Sequence, residues 1–412
     1  MLSQVNFKSK LPKNLQKYAS FGVIPKLFLA PFAILTVLIF VLARPFLIIQ
    51  VHKVNDWRLG HFTGNTELTR LKTLDHNQSQ RRKLLTVYYC GSEKPCNQFL
   101  AKLWKRELVS ISGHWGWLLN DLTQRVPKMN SSRESTDVDF DGLMTSDFNQ
   151  LRFRPSEIEE GDMFLQKHCD PMRFVCLNVR DAEFFRKTRT RDMSYHDYRD
   201  SDIKTYVAAA EALAEMGYTV FRMGAIVKEP LLSNHPRVID YATNGMRTEF
   251  LDIFLGAYCT FAISTSSGWD GVPTIFRRPL LIVNQLPILN PTNDTLDRII
   301  YRKILLDRDS SEVLTLQQLA ERGAATPFHT QAYKDAGVVI RDLSSEELVD
   351  AVTEMAQRVE GTFVETPEQR EMQAEAKRIL STHPKLQPSP NYYPIRAQFA
   401  SCFLSRYPNF LK

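Results

Sequence analysis

Four hydroxyl residues in a row, Ser264, Thr265, Ser266 and Ser267, stand just before Gly268 and Asp270 in the stretch "TFAISTSSGWDGVP". An apolar run precedes them and helix-compatible sequence follows, so they fall where a strand would hand over to a helix starting near Trp269. The first turn of a helix carries unpaired N–H groups and partial positive charge, which suits a phosphate or a carboxylate. Hydroxyls add donors, and glycine lets the backbone come close. One such anion contact is typically worth about 0.3 to 1 kcal/mol, and up to about 2 when partly buried. Ser266 or Ser267 would serve equally well as an ordinary helix cap. The stretch is neither a G-x-G-x-x-G fingerprint nor a P-loop, which withdraws support from nicotinamide-cofactor and simple nucleotide-hydrolase chemistry.

Other polar groups fall at the ends of apolar runs. "MRFVCLNVRD" puts Asn178, Arg180 and Asp181 after a buried strand over 174–177, "YTVFRMG" leaves Arg222 and Gly224, and "PLLIVN" ends on Asn284. Arginine forks suit diphosphates, and Arg180 directly follows its strand. The remaining charges of that stretch, Arg186, Lys187, Arg189, Arg191 and Arg199 among Asp192, Asp197, Asp200 and Asp202, are those of a solvated, self-paired loop. Earlier in the chain, "NDWRLGHF" places Asp56, Arg58, Gly60 and His61 in a glycine-containing loop after a strand over 46–54. A histidine there can take a proton from an acceptor hydroxyl, because its ordinary pKa lies near physiological pH. Asp56 is the competing base, and a purely structural histidine is the common alternative.

The elements needed to position these groups are written in the periodicity. Strand patterns at 46–54 and 84–90 and a helical pattern in "NQFLAKLWKREL" open an α/β arrangement. A second series runs from "MRFVCLNVRD" through "SDIKTYVAAAEALAEMG", capped by Ser201 and stopped at Gly217, to "YTVFRMG", "TEFLDIFLGAYC", "TFAIS" and "PLLIVN". Repeated βαβ units predict a parallel sheet covered on both faces, with ligands at the carboxyl ends of its strands. From about residue 344 the chain turns helical, with a capping box from Ser344 to Glu347, a stop at Gly361, and a second helix from Thr366 and Pro367 closed by Pro384. Residues 128–150 are polar and loop-like.

At 412 residues the chain should hold two or three domains, at roughly 100 to 200 residues each. With 52 basic and 46 acidic residues, the net charge of +6 is too mild to imply nucleic acid. Cys90, Cys96, Cys169, Cys176, Cys259 and Cys402 form no CxxC pair and no disulfide framework, which suits a reducing compartment. Lys8, Lys10, Lys13, Lys17 and Lys26, with no acid among them, lead into an apolar run from Leu27 to Ala43 that contains Pro31. At 1.5 Å per residue those 17 residues reach only about 26 Å, short of a hydrocarbon core of about 30 Å. A buried core helix is one explanation. A kinked, re-entrant or monotopic membrane helix with its lysines on the anionic leaflet is the favoured one.

Together, "RLGHF", "CLNVRD", "YRDSDIKTYVAAAEAL", "GYTVFRMG" and "EFLDIFLGAYCTFAISTSSGWDGVP" resemble a family of bacterial glycosyltransferases associated with surface-polysaccharide and lipopolysaccharide synthesis. The resemblance implies a GT-B fold: α/β, two Rossmann-like domains facing across a cleft, here preceded by a membrane-associating helix. The expected domains are 1–45 (basic arm and membrane segment), 46–165 (acceptor domain), 166–365 (nucleotide-sugar domain) and 366–412 (C-terminal helices packing back on the N-terminal domain). It further implies a nucleotide-sugar donor, a glycan or lipid-linked acceptor, no cofactor, no bound metal, and residence at the cytoplasmic face of the inner membrane. The acidic "DVDFD" at 137–141 lies in a polar loop and is discounted as a metal site. The donor would be met by Asn178, Arg180, Arg222, Gly224, Ser264, Thr265, Ser266, Ser267, Gly268 and Asp270, the last standing where many GT-B proteins have a ribose-binding glutamate. His61 or Asp56 would deprotonate the acceptor, beside Arg58 and Gly60. The alternatives are a nucleotide-sugar epimerase of similar fold and a noncatalytic membrane-bound scaffold.

Overall fold

The computed structural model describes residues 23–92, 94–127, 129, 139, 141–145, 151–169, 173–188, 192, 194–289, 298–327, 329–386 and 396–412. The lysine arm up to residue 22, most of the polar stretch 128–150, and Arg189 and Arg191 therefore lie outside the described residues. The chain divides into two compact units, Met1–Thr136 and Asp137–Lys412.

In the first unit, helix α1 (Val23–Ala43) precedes strand β1 (Leu47–Val54), which pairs in parallel with β2 (Lys83–Cys90), Val51 lying opposite Val87. Parallel neighbours need a crossover. It is made by a π-helix, His61–Asn65, that runs into α2 (Thr66–Ser79). The stretch 55–65, expected as a loop, is thus largely helical. Phe62 N donates to the Arg58 carbonyl at 2.8 Å, Thr63 Oγ1 donates back to Leu59 O at 2.8 Å, and Trp104 Nε1 donates to Phe62 O at 3.0 Å. Burial of Phe62 and Thr63 overrides the weak helical preference of a glycine-bearing segment. Helices α3 (Gln98–Glu107) and α4 (Gly113–Thr123) complete this unit. Among the described residues it has these two strands and a single further bridge, Tyr88 to Ser110, fewer than a Rossmann-like domain would show.

The second unit begins earlier than expected. Helix α5 (Pro155–His168) belongs to it, because Gly161 sits so close to the Phe254 ring that a Cβ there would lie 2.0 Å from it. Strand β3 (Phe174–Asn178) and the short helix α6 (Glu183–Thr188) lead to α7 (Val207–Glu215), β4 (Thr219–Met223) and β5 (Val238–Ile239). The turn ahead of α7 is capped by Asp202, which accepts from Lys204 N at 3.0 Å, and not by Ser201. Then come α8 (Glu249–Tyr258), β6 (Phe261–Ser264), α9 (Gly271–Ile275), β7 (Leu280–Gln285) and β8 (Arg298–Arg302). A small antiparallel pair, β9 (Ile304–Asp307) with β10 (Val338–Arg341), brackets α10 (Leu316–Glu321) and α11 (Thr330–Asp335). The capping boxes at Ser344 and Thr366 open α12 (Ser345–Glu360) and α13 (Pro367–Thr382), and Gly361 ends α12 in the left-handed conformation.

β11 (Gln398–Phe399) adds to β8 in parallel, and the amide groups of Ser401 and Cys402, at the start of α14 (Ser401–Arg406), donate to buried Glu354 at 2.9 and 2.8 Å. Ala376, Leu380, Leu386, Phe399, Phe403 and Phe410 share the core of the second unit's sheet. That sheet has seven strands in the order β11-β8-β7-β6-β3-β4-β5, every pairing parallel. Without β11 this is the 3-2-1-4-5-6 order of a doubly wound sheet, whose direction of winding reverses between β3 and β6. Period-2 alternation sends Val175, Leu177, Phe261 and Ile263 into one large apolar core. Phe174 and Phe221 meet edge to face.

Candidate functional site

The reversal between β3 and β6 sets the site. Asn178 and Ser264 are register partners at the carboxyl ends of these strands, and the chains diverge beyond them. Thr265 N still donates to Asn178 O at 3.3 Å, while Thr265 Oγ1 accepts from Arg180 N at 2.8 Å. Ser266 then turns sharply through a left-handed φ of 59°, presenting its carbonyl to Arg199 Nη2. Ser267 Oγ accepts from Trp269 N and from Asn178 Nδ2, each at 3.1 Å, and is the cap of the turn Gly268–Asp270. Asp270 Oδ1 receives hydroxyls from Ser264 and from Ser267, the latter at 3.2 Å. Buried Asp270 thus shapes the loop from within. The solvent-facing part of the loop is Ser267, half-buried, and Gly268, exposed.

Three cations lie beneath it. Arg180 Nη1 ion-pairs with Asp200 and donates to His196 O at 3.2 Å. Lys303, almost fully buried, donates to the Asp200 carbonyl and pairs with Asp342, both at 2.7 Å. Arg199 has no acid partner among the described residues, and its buried Nε has no hydrogen-bond partner at all. Asp197 and Asp181 also act on this cluster, so its charges are largely balanced, but Arg199 Nε keeps an N–H to spare among the described residues. That N–H can donate to an anion.

Burial pushes the Asp200 carboxyl up to about 6, against the pull of Arg180 and Lys303. Burial likewise lowers Arg180, with Asp200 opposing. Between the ordinary carboxylate range near 4 and about 6, folded Asp200 holds a proton that the unfolded chain has lost. Its contribution to stability is therefore complete below that window and is lost as pH rises through it. Anion binding follows the same sign: calorimetric affinity for a diphosphate anion should rise several-fold as pH falls from about 7.5 to about 5.5. Asp200→Asn should flatten that profile.

Not every sequence candidate reaches this site. Arg222 is wholly buried, its Nη1 on Asp240 and its Nη2 on the Glu229 carbonyl, both at 3.1 Å, and its Nε unpartnered among the described residues, so it braces the 229–240 segment. Gly224, at φ 150°, could not carry a Cβ without meeting Val227 at 2.5 Å, and it too shapes a turn. Asn284 is buried, donating to the Tyr206 hydroxyl at 2.9 Å and accepting from Leu343 N at 2.8 Å. In the first unit Asp56 is wholly buried, accepting from Ser92 Oγ at 2.7 Å and Ser92 N at 3.3 Å, so it holds a turn and is sealed from any substrate hydroxyl. His61 is half-buried at the start of the π-helix, and Gly60 there is ordinary right-handed helix. Arg58 is exposed and lies over Trp57, 4.4 Å from the ring centroid.

Sequence reasoning passed over Arg199, Asp200 and Lys303. Arg199 lies 21 positions beyond Asn178, and only the turn Ser194–Arg199 folds it back onto the Ser266 carbonyl. No spacing rule announces that return. Asp139, of the discounted acidic stretch, accepts from Leu143 N and Met144 N at 2.9 and 2.8 Å. Among the described residues no group of three or more His, Cys, Asp or Glu side chains is placed to hold a metal ion.

No protein-family model and no curated protein matches this chain. Among solved structures it is similar to the ADP-heptose lps heptosyltransferase II of E. coli, with a TM-score of 0.41 and 12% identity over 76% of this chain and 99% of that one. It is similar as well to a glycosyl transferase of family 9 from Veillonella parvula, with a TM-score of 0.41 and 11% identity over 76% and 98% of the two chains. Scores this low leave the fold to be read from the sheet topology above.

Proposed function

We propose that the protein is a glycosyltransferase that moves a sugar from a nucleotide-sugar donor to a glycan or lipid-linked acceptor in surface-polysaccharide synthesis. One observation carries the donor half of this reading: Arg199, without an ion pair among the described residues and with an unpartnered Nε, beside the Thr265–Gly268 loop at the winding reversal of a 3-2-1-4-5-6 sheet. A donor diphosphate supplies the missing anion. Arg199 and the open N–H groups of Ser267 and Gly268 stabilise it as it departs, with Arg180 adding charge from below. The sugar's anomeric carbon loses its bond to the diphosphate oxygen and gains one to the acceptor oxygen. His61 in the first unit takes the acceptor's proton, since Asp56 is sealed. In this reading the second unit holds the donor and the first the acceptor, at the cytoplasmic face of the inner membrane, with neither cofactor nor metal.

Incubating the purified protein with UDP-, GDP-, ADP- and CMP-sugars, with and without membrane lipid, tests the proposal. One nucleotide class should bind and release nucleoside diphosphate or monophosphate, faster when lipid is supplied. Formation of an epimerised nucleotide sugar without release would make the protein an epimerase instead. Absence of binding to the whole panel would leave a noncatalytic scaffold.

A further inference from the structure

Helix α1 shows two different faces. Ala33, Val37 and Phe40, spaced four and three apart, pack in one cluster with Val51 of β1, Tyr89 of β2 and Leu119 of α4. Among its described side chains, the opposite face is largely apolar and bare. Phe32, Leu35, Leu38, Ile39 and Leu42 are 51 to 68% exposed, and Phe46 just beyond is 83% exposed. Contiguous apolar surface of this kind, on the order of several hundred Å², is more than a soluble monomer ordinarily leaves in water.

The helix also has a direction relative to the sheet. Only Arg44, Pro45 and Phe46 separate it from β1, and Phe46 N turns back to Ala43 O at 2.9 Å, so helix and strand run antiparallel. Ala33 lies about 15 Å back from Ala43 along the helix, and Val51 lies about 13 Å forward from Leu47 along the strand. Their shared cluster confirms the match. By the same measure Val23, at the N-terminal end of α1 and about 30 Å back from Ala43, lies about 7 Å beyond the level of Val54, which is about 23 Å along β1 from Leu47. The lysines at 8, 10, 13, 17 and 26, with no acid among the first 26 residues, fall before or just after that same end in the chain.

We propose that α1 lies in the plane of an anionic phospholipid bilayer, its bare face in the acyl boundary and the lysine arm on the headgroups. A crossing helix would have to present lipid with the stripe already committed to Val51, Tyr89 and Leu119. Among the described residues, moreover, no helix is long and apolar enough to cross. A second copy of the chain would cover the apolar face but would leave the clustered lysines facing like charge, whereas an anionic leaflet satisfies both features at once. The bilayer contact stands without the glycosyltransferase reading. Its consequence for that reading, which does rest on it, is that the acceptor is lipid-linked.

Flotation of the full-length protein with vesicles of phosphatidylcholine alone, and of phosphatidylcholine mixed with phosphatidylglycerol, tests the attachment. The protein should float with the mixed vesicles and be released by alkaline carbonate, as an in-plane helix is and a spanning one is not. Leu35→Glu with Ile39→Glu, both exposed positions, should lower the bound fraction at least about tenfold. Lys8, Lys10, Lys13 and Lys17 changed to Gln should weaken binding to the anionic vesicles only. Failure to float, retention after carbonate, or a double variant that converts a dimer to a monomer while floating as before each overturns the proposal. A circular-dichroism melt of the same samples verifies that the variants are folded, and nucleotide-sugar binding separates loss of the lipid contact from loss of the donor site.

Discussion

Arg199→Ala should raise the dissociation constant for the nucleotide-sugar donor by roughly thirty- to hundredfold, as read by titration calorimetry. The guanidinium is held by the Ser266 carbonyl, no acid pairs with it among the described residues, and its buried Nε is the donor left for an anion. A hydrogen bond to a charged group contributes about 1.5 to 3 kcal/mol, and a loss of about 2 to 3 kcal/mol is a factor of that size. Arg199→Lys should recover only part of it, because an ammonium keeps the charge and loses the planar fork. Arg180→Ala should cost less, since its Nη1 is already engaged by Asp200 and by the His196 carbonyl. An unchanged dissociation constant in a folded Arg199→Ala protein would remove the basis for donor binding at this loop.

The largest expected effect on stability is that of Arg222→Ala. The side chain is buried against Asp240, whose second oxygen accepts from Leu231 N at 3.1 Å and from Thr243. Removing one partner of such a pair leaves a buried charge uncompensated and costs about 3 to 5 kcal/mol, equivalent to a melting temperature lower by about 10 °C. Arg222→Met combined with Asp240→Asn should recover much of that loss, because neither charge then remains. Donor affinity measured well below the melting transition should be unchanged. A selective loss of affinity at undiminished melting temperature would instead return Arg222 to the donor site, where its strand-end position first suggested it belonged.

Arg222 and Arg199 show where legibility stopped. Both are arginines near strand ends in one α/β unit, and the sequence favoured the first because it stands closer to its strand. Nearness in sequence says nothing of charge compensation. Asp240 lies 18 positions after Arg222 and cancels it, while the turn Ser194–Arg199 returns Arg199 to a loop some 67 positions later where no acid meets it. Asp56 misled in the same way, since it follows β1 as a base would, yet Ser92 encloses its carboxylate. The helical character of 61–65 was hidden because it depends on burial of Phe62 beneath Trp104, a contact across 42 positions. The final strand, β11, is two residues long and has no period to detect.

What the sequence determined by itself is local. Apolar periods set the strands and helices of the second unit, side-chain oxygens placed before helices capped them at Ser344 and Thr366, and small hydroxyl residues marked the break after β6. These depend on neighbours within a turn or two, so the chain order carries them. The tertiary structure decided which strand ends converge, which arginine is left without a counter-ion, and which face of α1 is left bare. Each is a balance of burial and charge among groups 10 to 100 positions apart, and such a balance exists only once the chain has folded.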